Sequence, residues 1–164
     1  KKIAENQKKP ILSLNSSIDK YSISVELLNL GLGPAIVREH SYEIGGVKID
    51  SIDEVFNVNT FNDIKYGMAD KYQIREELFN HIEGEYFRTF LSGDDVAVAP
   101  SGKLEVFSID LSKSINDNTE DVILGIIKIF VEIILDIKFE LIYYDIYDNK
   151  YTMNSRILEG DINI

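Results

Sequence analysis

The chain has no cysteine and only two histidines among its 164 residues. Without cysteine there is no disulfide framework, no thiolate metal site and no thiol nucleophile, and nothing calls for an oxidising compartment. The histidines, His40 and His81, stand far apart in sequence with no ligand spacing around either, so a histidine-built metal site is not expected. Basic residues are also scarce. Against 28 Asp and Glu there are 17 Lys and Arg, a formal net charge of −11, which repels polyanions at long range and argues against DNA or RNA as partner. A small anionic ligand would need a locally basic pocket. A long apolar run is missing too: the longest, residues 122–135, is broken by Lys128 and Glu132 and is too short to span a bilayer, and no signal peptide is visible.

Catalytic motifs are likewise absent. There is no nucleophile elbow, no His-Glu-x-x-His and no phosphate-binding P-loop. The paired acids Asp94-Asp95 and Glu76-Glu77 read as a turn and a solvated helix face. Neither an enzyme nor a cofactor is expected.

What is present is a hydrophobic content of 45%, enough for one sizeable core in a chain of this length. Residues 1–10 form a polar, lysine-rich stretch ending in Pro10 that reads as a juxtamembrane linker, and residues 11–164 read as a single domain. Period-2 alternation marks strands over 11–14 and 21–27. Gly31, Gly33 and Pro34 then mark an irregular crossing before a strand over 36–44. Gly45-Gly46 makes a two-residue hairpin into 47–49. A Ser51-x-x-Glu54 capping box opens a short helix, and a second helix starts near Asp70 and stops at Gly84. Strands follow over 85–91, 96–99 and 103–111. Over 119–135 the polar positions Asp121, Gly125, Lys128 and Glu132 recur at helical spacing, which predicts a helix buried on most of its circumference. A hairpin over 137–158, turning at Asp148-Asn149, ends the chain. The expectation is a mainly β fold, an antiparallel β-barrel or sandwich of about eight strands with two or three inserted helices.

Alternation over 36–44 puts Arg38 and His40 on the face of Ile36, Tyr42 and Ile44, and puts Arg88 with Tyr86 and Phe90. Tyr143 and Asp145 fall on the face of Phe139 and Leu141. A charge aimed into a barrel is costly unless it is paired or meets a ligand. Arg38, His40, Arg88, Tyr86 and Tyr143 are therefore candidate ligand-binding residues in an aromatic-lined interior. The competing reading pairs an arginine with Asp145, or lets it snorkel out at a strand end.

Two blocks carry a resemblance: residues 28–35, with Asn29-x-Gly31-x-Gly33-Pro34-Ala35, and residues 143–151, with Tyr143-x-Asp145-x-Tyr147-Asp148-Asn149-x-Tyr151. Together they resemble the β-domain of small bacterial membrane-anchored proteins, some of which look similar to the two-transmembrane β-barrel effectors of cyclic-oligonucleotide anti-phage defence. The resemblance implies a domain on the cytoplasmic side of the inner membrane, anchored through preceding helices, that binds a cyclic nucleotide and controls membrane disruption. A homo-oligomer is a further expectation for such an effector. The alternative is an immunoglobulin-like protein-interaction domain of a small membrane protein with no small-molecule ligand.

Overall fold

The computed structural model describes residues 8–49, 52, 72, 76–91 and 94–157. The strands are β1 (Leu12–Ile18), β2 (Ser22–Asn29), β3 (Ala35–Ile44), β4 (Val47–Ile49), β5 (Phe87–Thr89), β6 (Val96–Val98), β7 (Lys103–Asp110), β8 (Ile137–Tyr144) and β9 (Lys150–Arg156). One antiparallel sheet runs β1-β2-β7-β5, and the other runs β4-β3-β8-β9. β6 pairs with the first residues of β3, on the edge that β4 uses further along. The fold is thus mainly β, in two antiparallel sheets that form no closed barrel among the described residues.

Among the described residues α1 (Glu120–Leu135) is the α-helix seen over its whole length; Ile52 is also helical, and Glu76–His81 and Ser112–Ser114 are short 3-10 turns. The Ser51-x-x-Glu54 helix lies outside the described residues apart from Ile52, and so does the start of the helix expected from Asp70. The stop at Gly84 coincides with a positive φ of 71°, where glycine avoids the Cβ clash of other residues. Gly45 and Gly46 have φ of 57° and 83°, the pair of positive values that a two-residue hairpin of matching twist requires.

α1 explains how a sequence so rich in isoleucine becomes helical. Ile123, Ile126, Ile127, Phe130, Val131, Ile133 and Ile134 are all buried. Asp121, Gly125, Lys128 and Glu132 are exposed, so the predicted polar stripe is the face left to water. Burying each large side chain contributes roughly 1.5–3 kcal/mol. The helix propensity lost at a β-branched residue is about 0.5 kcal/mol, and burial decides. The Tyr86 ring stacks on Phe130 at 5.9 Å and ties the approach to β5 onto the helix.

Alternation in β3 is broken, which overturns the face assigned to Arg38. Val37 pairs with Tyr143 but Glu39 pairs with Ile142, so Arg38 is the extra residue of a β-bulge. Before it Ala35 and Val37 point inward; after it Tyr42 and Ile44 do. A single inserted residue flips the face of everything on one side of it, and Arg38 points outward. β5 spans three residues, too few to sustain the alternation assumed for 85–91, and Arg88 within it is exposed.

Candidate functional site

The five sequence-predicted residues do not gather around one interior pocket. The Arg38 Nε lies 3.3 Å from an Asp95 carboxylate oxygen and its Nη2 lies 3.7 Å from Asp148. Its guanidinium rests 4.3 Å from the Tyr144 ring centroid. His40 is half-buried beside Tyr42, edge to face at 5.8 Å, and burial holds its pKa below the ordinary histidine value. Tyr86 belongs to the α1 contact, where burial pushes its hydroxyl up to about 12. Tyr143 is buried and stacks on Tyr151 at 5.3 Å. Arg88 stands on the other sheet, paired across from Ser108. The buried side chains of α1 and of strands from both sheets belong to one hydrophobic core.

Asp145 pairs with neither arginine; it organises the turn between β8 and β9. One carboxylate oxygen accepts the backbone N–H groups of Tyr147 and Asn149, and the other accepts the Asn149 side-chain amide and the Tyr151 hydroxyl. Burial pushes this carboxyl up, but the hydrogen bonds from Asn149, Tyr151 and Tyr147 outweigh it and hold the pKa below the usual carboxylate range. The tyrosine-rich block is thus a turn built on a buried, ionised aspartate.

The first block is built on Asn29, which is fully buried. Its Oδ1 accepts the N–H groups of Ile11 and Gly31, and its Nδ2 donates to the carbonyls of Gly33 and Val98. Leu30 and Leu32 donate their backbone N–H groups to the carbonyls of Ile11 and Lys9, so segment 8–11 lies directly against the crossing. The glycines make this approach possible. A Cβ on Gly33 would fall 1.6 Å from the Lys8 carbonyl oxygen, and one on Gly31 would fall 2.2 Å from that of Lys9. The Lys9 ammonium in turn sits 5.3 Å from the Tyr151 ring centroid. Both blocks therefore close on segment 8–11, a role that neither advertised in sequence.

A groove of about 550 Å³ crosses the outer face of the second sheet. Cross-strand register aligns Lys48, Glu43, Lys138 and Arg156 in one row. Ser41, Glu140 and Asn154 form the next. Three cations to one carboxylate make the first row a locally basic strip on an acidic protein. Alternation on β4, β8 and β9 carried this signal, but no spacing within a single strand does. The Arg156 guanidinium donates to the Leu135 carbonyl, capping the C-terminus of α1 while remaining exposed.

A second groove, of about 660 Å³, separates the edge strands β1 and β9. Lys9 lies over Tyr151 near the start of both strands, and near their ends the Ser16 hydroxyl donates to the Ile157 carbonyl. β1 and β9 consequently run in the same direction, with Leu14, Ile18 and Met153 half-buried along the gap.

No helix among the described residues is long and apolar enough to cross a membrane. Comparison with family models, curated proteins and solved structures finds no match to the chain.

Proposed function

We propose that this chain is the ligand-sensing domain of a small membrane-anchored bacterial effector of anti-phage defence, and that a cyclic oligonucleotide binds on the outer face of the β4-β3-β8-β9 sheet rather than between the sheets. The observation that carries this reading is the row Lys48-Glu43-Lys138-Arg156 along a groove of ligand size. Phosphates need cations with free donors, and this row offers them where the chain's overall charge does not. Calorimetry and thermal shift against a panel of cyclic di- and trinucleotides test it. One member should raise the melting temperature by linkage, and Lys48→Ala with Lys138→Ala should weaken its binding by roughly 1.5–3 kcal/mol for each charge-assisted bond lost. Silence across the panel sinks the ligand.

A second reading, a protein-interaction domain without a small-molecule ligand, is favoured by the gap between β1 and β9. An extended peptide running opposite to one of these edges would pair antiparallel with it where the Ser16–Ile157 hydrogen bond does not already bridge the gap. Strand addition of this kind draws affinity from main-chain hydrogen bonds and specificity from alternate side chains, and the half-buried Leu14, Ile18 and Met153 would receive the latter. Chemical-shift changes confined to β1 and β9 on adding alternating apolar peptides would support it; changes on β3 and β8 with a nucleotide support the first.

A further inference from the structure

We infer that Glu140 determines the base specificity of the groove on the β4-β3-β8-β9 sheet and that it selects guanine. The inference rests on the cyclic-oligonucleotide reading of that groove and adds which base the groove takes. Among the described residues two carboxylates line it, Glu43 and Glu140, and their surroundings differ. Glu43 has Lys48 across from it on β4 and Lys138 across from it on β8, so cations on both neighbouring strands offset its charge. Glu140 has Ser41 across from it on β3 and Asn154 on β9, both uncharged. It is exposed, and its carboxylate enters no ion pair or hydrogen bond among the described residues. Its acceptor capacity is free.

An ionised carboxylate only accepts hydrogen bonds. Guanine presents two N–H donors side by side, at N1 and N2, and one carboxylate can take both in a fork, as it takes an arginine. Adenine and cytosine set a bare ring nitrogen beside the amino group, and uracil sets one N–H between two carbonyl oxygens. Each of these turns a lone pair toward the carboxylate. The guanine O6 lies next to N1, within the span where the Asn154 amide or the Ser41 hydroxyl, one strand to either side of Glu140, donates to it. Lys138 stands two residues along β8 on the same face, about 7 Å away, and Lys48 and Arg156 extend its row. The phosphates therefore fall on the cations while the base edge faces Glu140. Cations alone would treat all bases alike; a polar site rejects the base that leaves its acceptor unpaired.

Calorimetry with cyclic di-GMP, cyclic di-AMP and cyclic di-UMP on the wild type, Glu140→Gln and Lys138→Ala tests it. The wild type should bind cyclic di-GMP at least about tenfold more tightly than the other two. Removing a negative charge from the groove helps every polyanion equally, so the ratio between ligands is what reports on Glu140. In Glu140→Gln the preference for cyclic di-GMP over cyclic di-AMP should fall at least about tenfold, since a glutamine amide matches adenine with one bond in each direction. Lys138→Ala should weaken every ligand that binds and leave the preference unchanged. Equal or tighter binding of cyclic di-AMP or cyclic di-UMP by the wild type overturns guanine selection while leaving the groove a nucleotide site. An unchanged ratio in Glu140→Gln overturns the assignment to Glu140. Binding of none of the three overturns the inference, and the wider panel of cyclic di- and trinucleotides decides separately whether the reading it rests on survives.

Discussion

Lys9 stands over the ring of Tyr151 with its ammonium 5.3 Å from the centroid, so the segment that leads into β1 is held by the strand that ends the described chain. Tyr151 itself is fixed from two sides, by stacking on Tyr143 and by its hydrogen bond to Asp145. Asn29, Gly31 and Gly33 hold the other side of the same segment. Two motifs more than a hundred residues apart therefore build one clamp.

The charge on Asp145 is the part of that clamp most sensitive to acid. Its folded pKa lies below the ordinary 3.8, so the carboxylate stabilises the fold above that value. The contribution fades as pH falls through the lowered folded pKa. Asp145→Asn keeps the shape but loses the charged acceptor, and should cost roughly 1–3 kcal/mol at neutral pH. Melting temperatures measured from neutral to strongly acidic pH should converge for the two proteins; a constant gap would show that the charge is not what matters.

Two tyrosines set an alkaline limit. Burial pushes the hydroxyls of Tyr86 and Tyr151 up to about 12, with the Asp145 hydrogen bond adding to the effect at Tyr151. Their stabilisation is complete below the unfolded value near 10 and drains away as pH rises toward 12. Urea unfolding across this range should show a loss of stability that is reduced in Tyr86→Phe and Tyr151→Phe. Identical slopes in all three proteins would contradict the assignment.

α1 offers a paired test of opposite sign. Gly125 lies on its exposed stripe, and a Cβ there meets nothing within 4 Å, so Gly125→Ala should stabilise the protein by about 0.5–1 kcal/mol. Ile127 is fully buried two residues on, and Ile127→Asp should destabilise by roughly 3 kcal/mol or more because an unpaired charge enters the core. Chemical denaturation reads both. A neutral Ile127→Asp would mean that the helix is not seated as described.

Periodicity made the strands, the Gly45-Gly46 hairpin and the α1 stripe legible, because each is a local pattern whose period the backbone enforces. Arg38 was misplaced because a bulge leaves no mark in the residues 36–44 themselves; it is visible only in the pairing of β3 with β8. Arg88 was misplaced because three residues of β5 are too few to carry a face. Asp145 was read as a strand residue, although β8 ends at Tyr144 and the Asp-x-Tyr-x-Asn spacing suits a side chain that gathers the N–H groups of its own turn. The basic row across the second sheet is assembled from three different strands plus a neighbour, so no stretch of sequence displays it.

The most direct test of the clamp is residue-resolved amide hydrogen exchange at Leu30 and Leu32, whose N–H groups bond to segment 8–11, in the wild type and in Gly33→Ala. The added methyl cannot coexist with the Lys8 carbonyl in its present position. The account predicts that both amides lose most of their protection in the variant, while the amides of β8 and α1 keep theirs. Undiminished protection at Leu30 and Leu32 in a folded Gly33→Ala protein would contradict it.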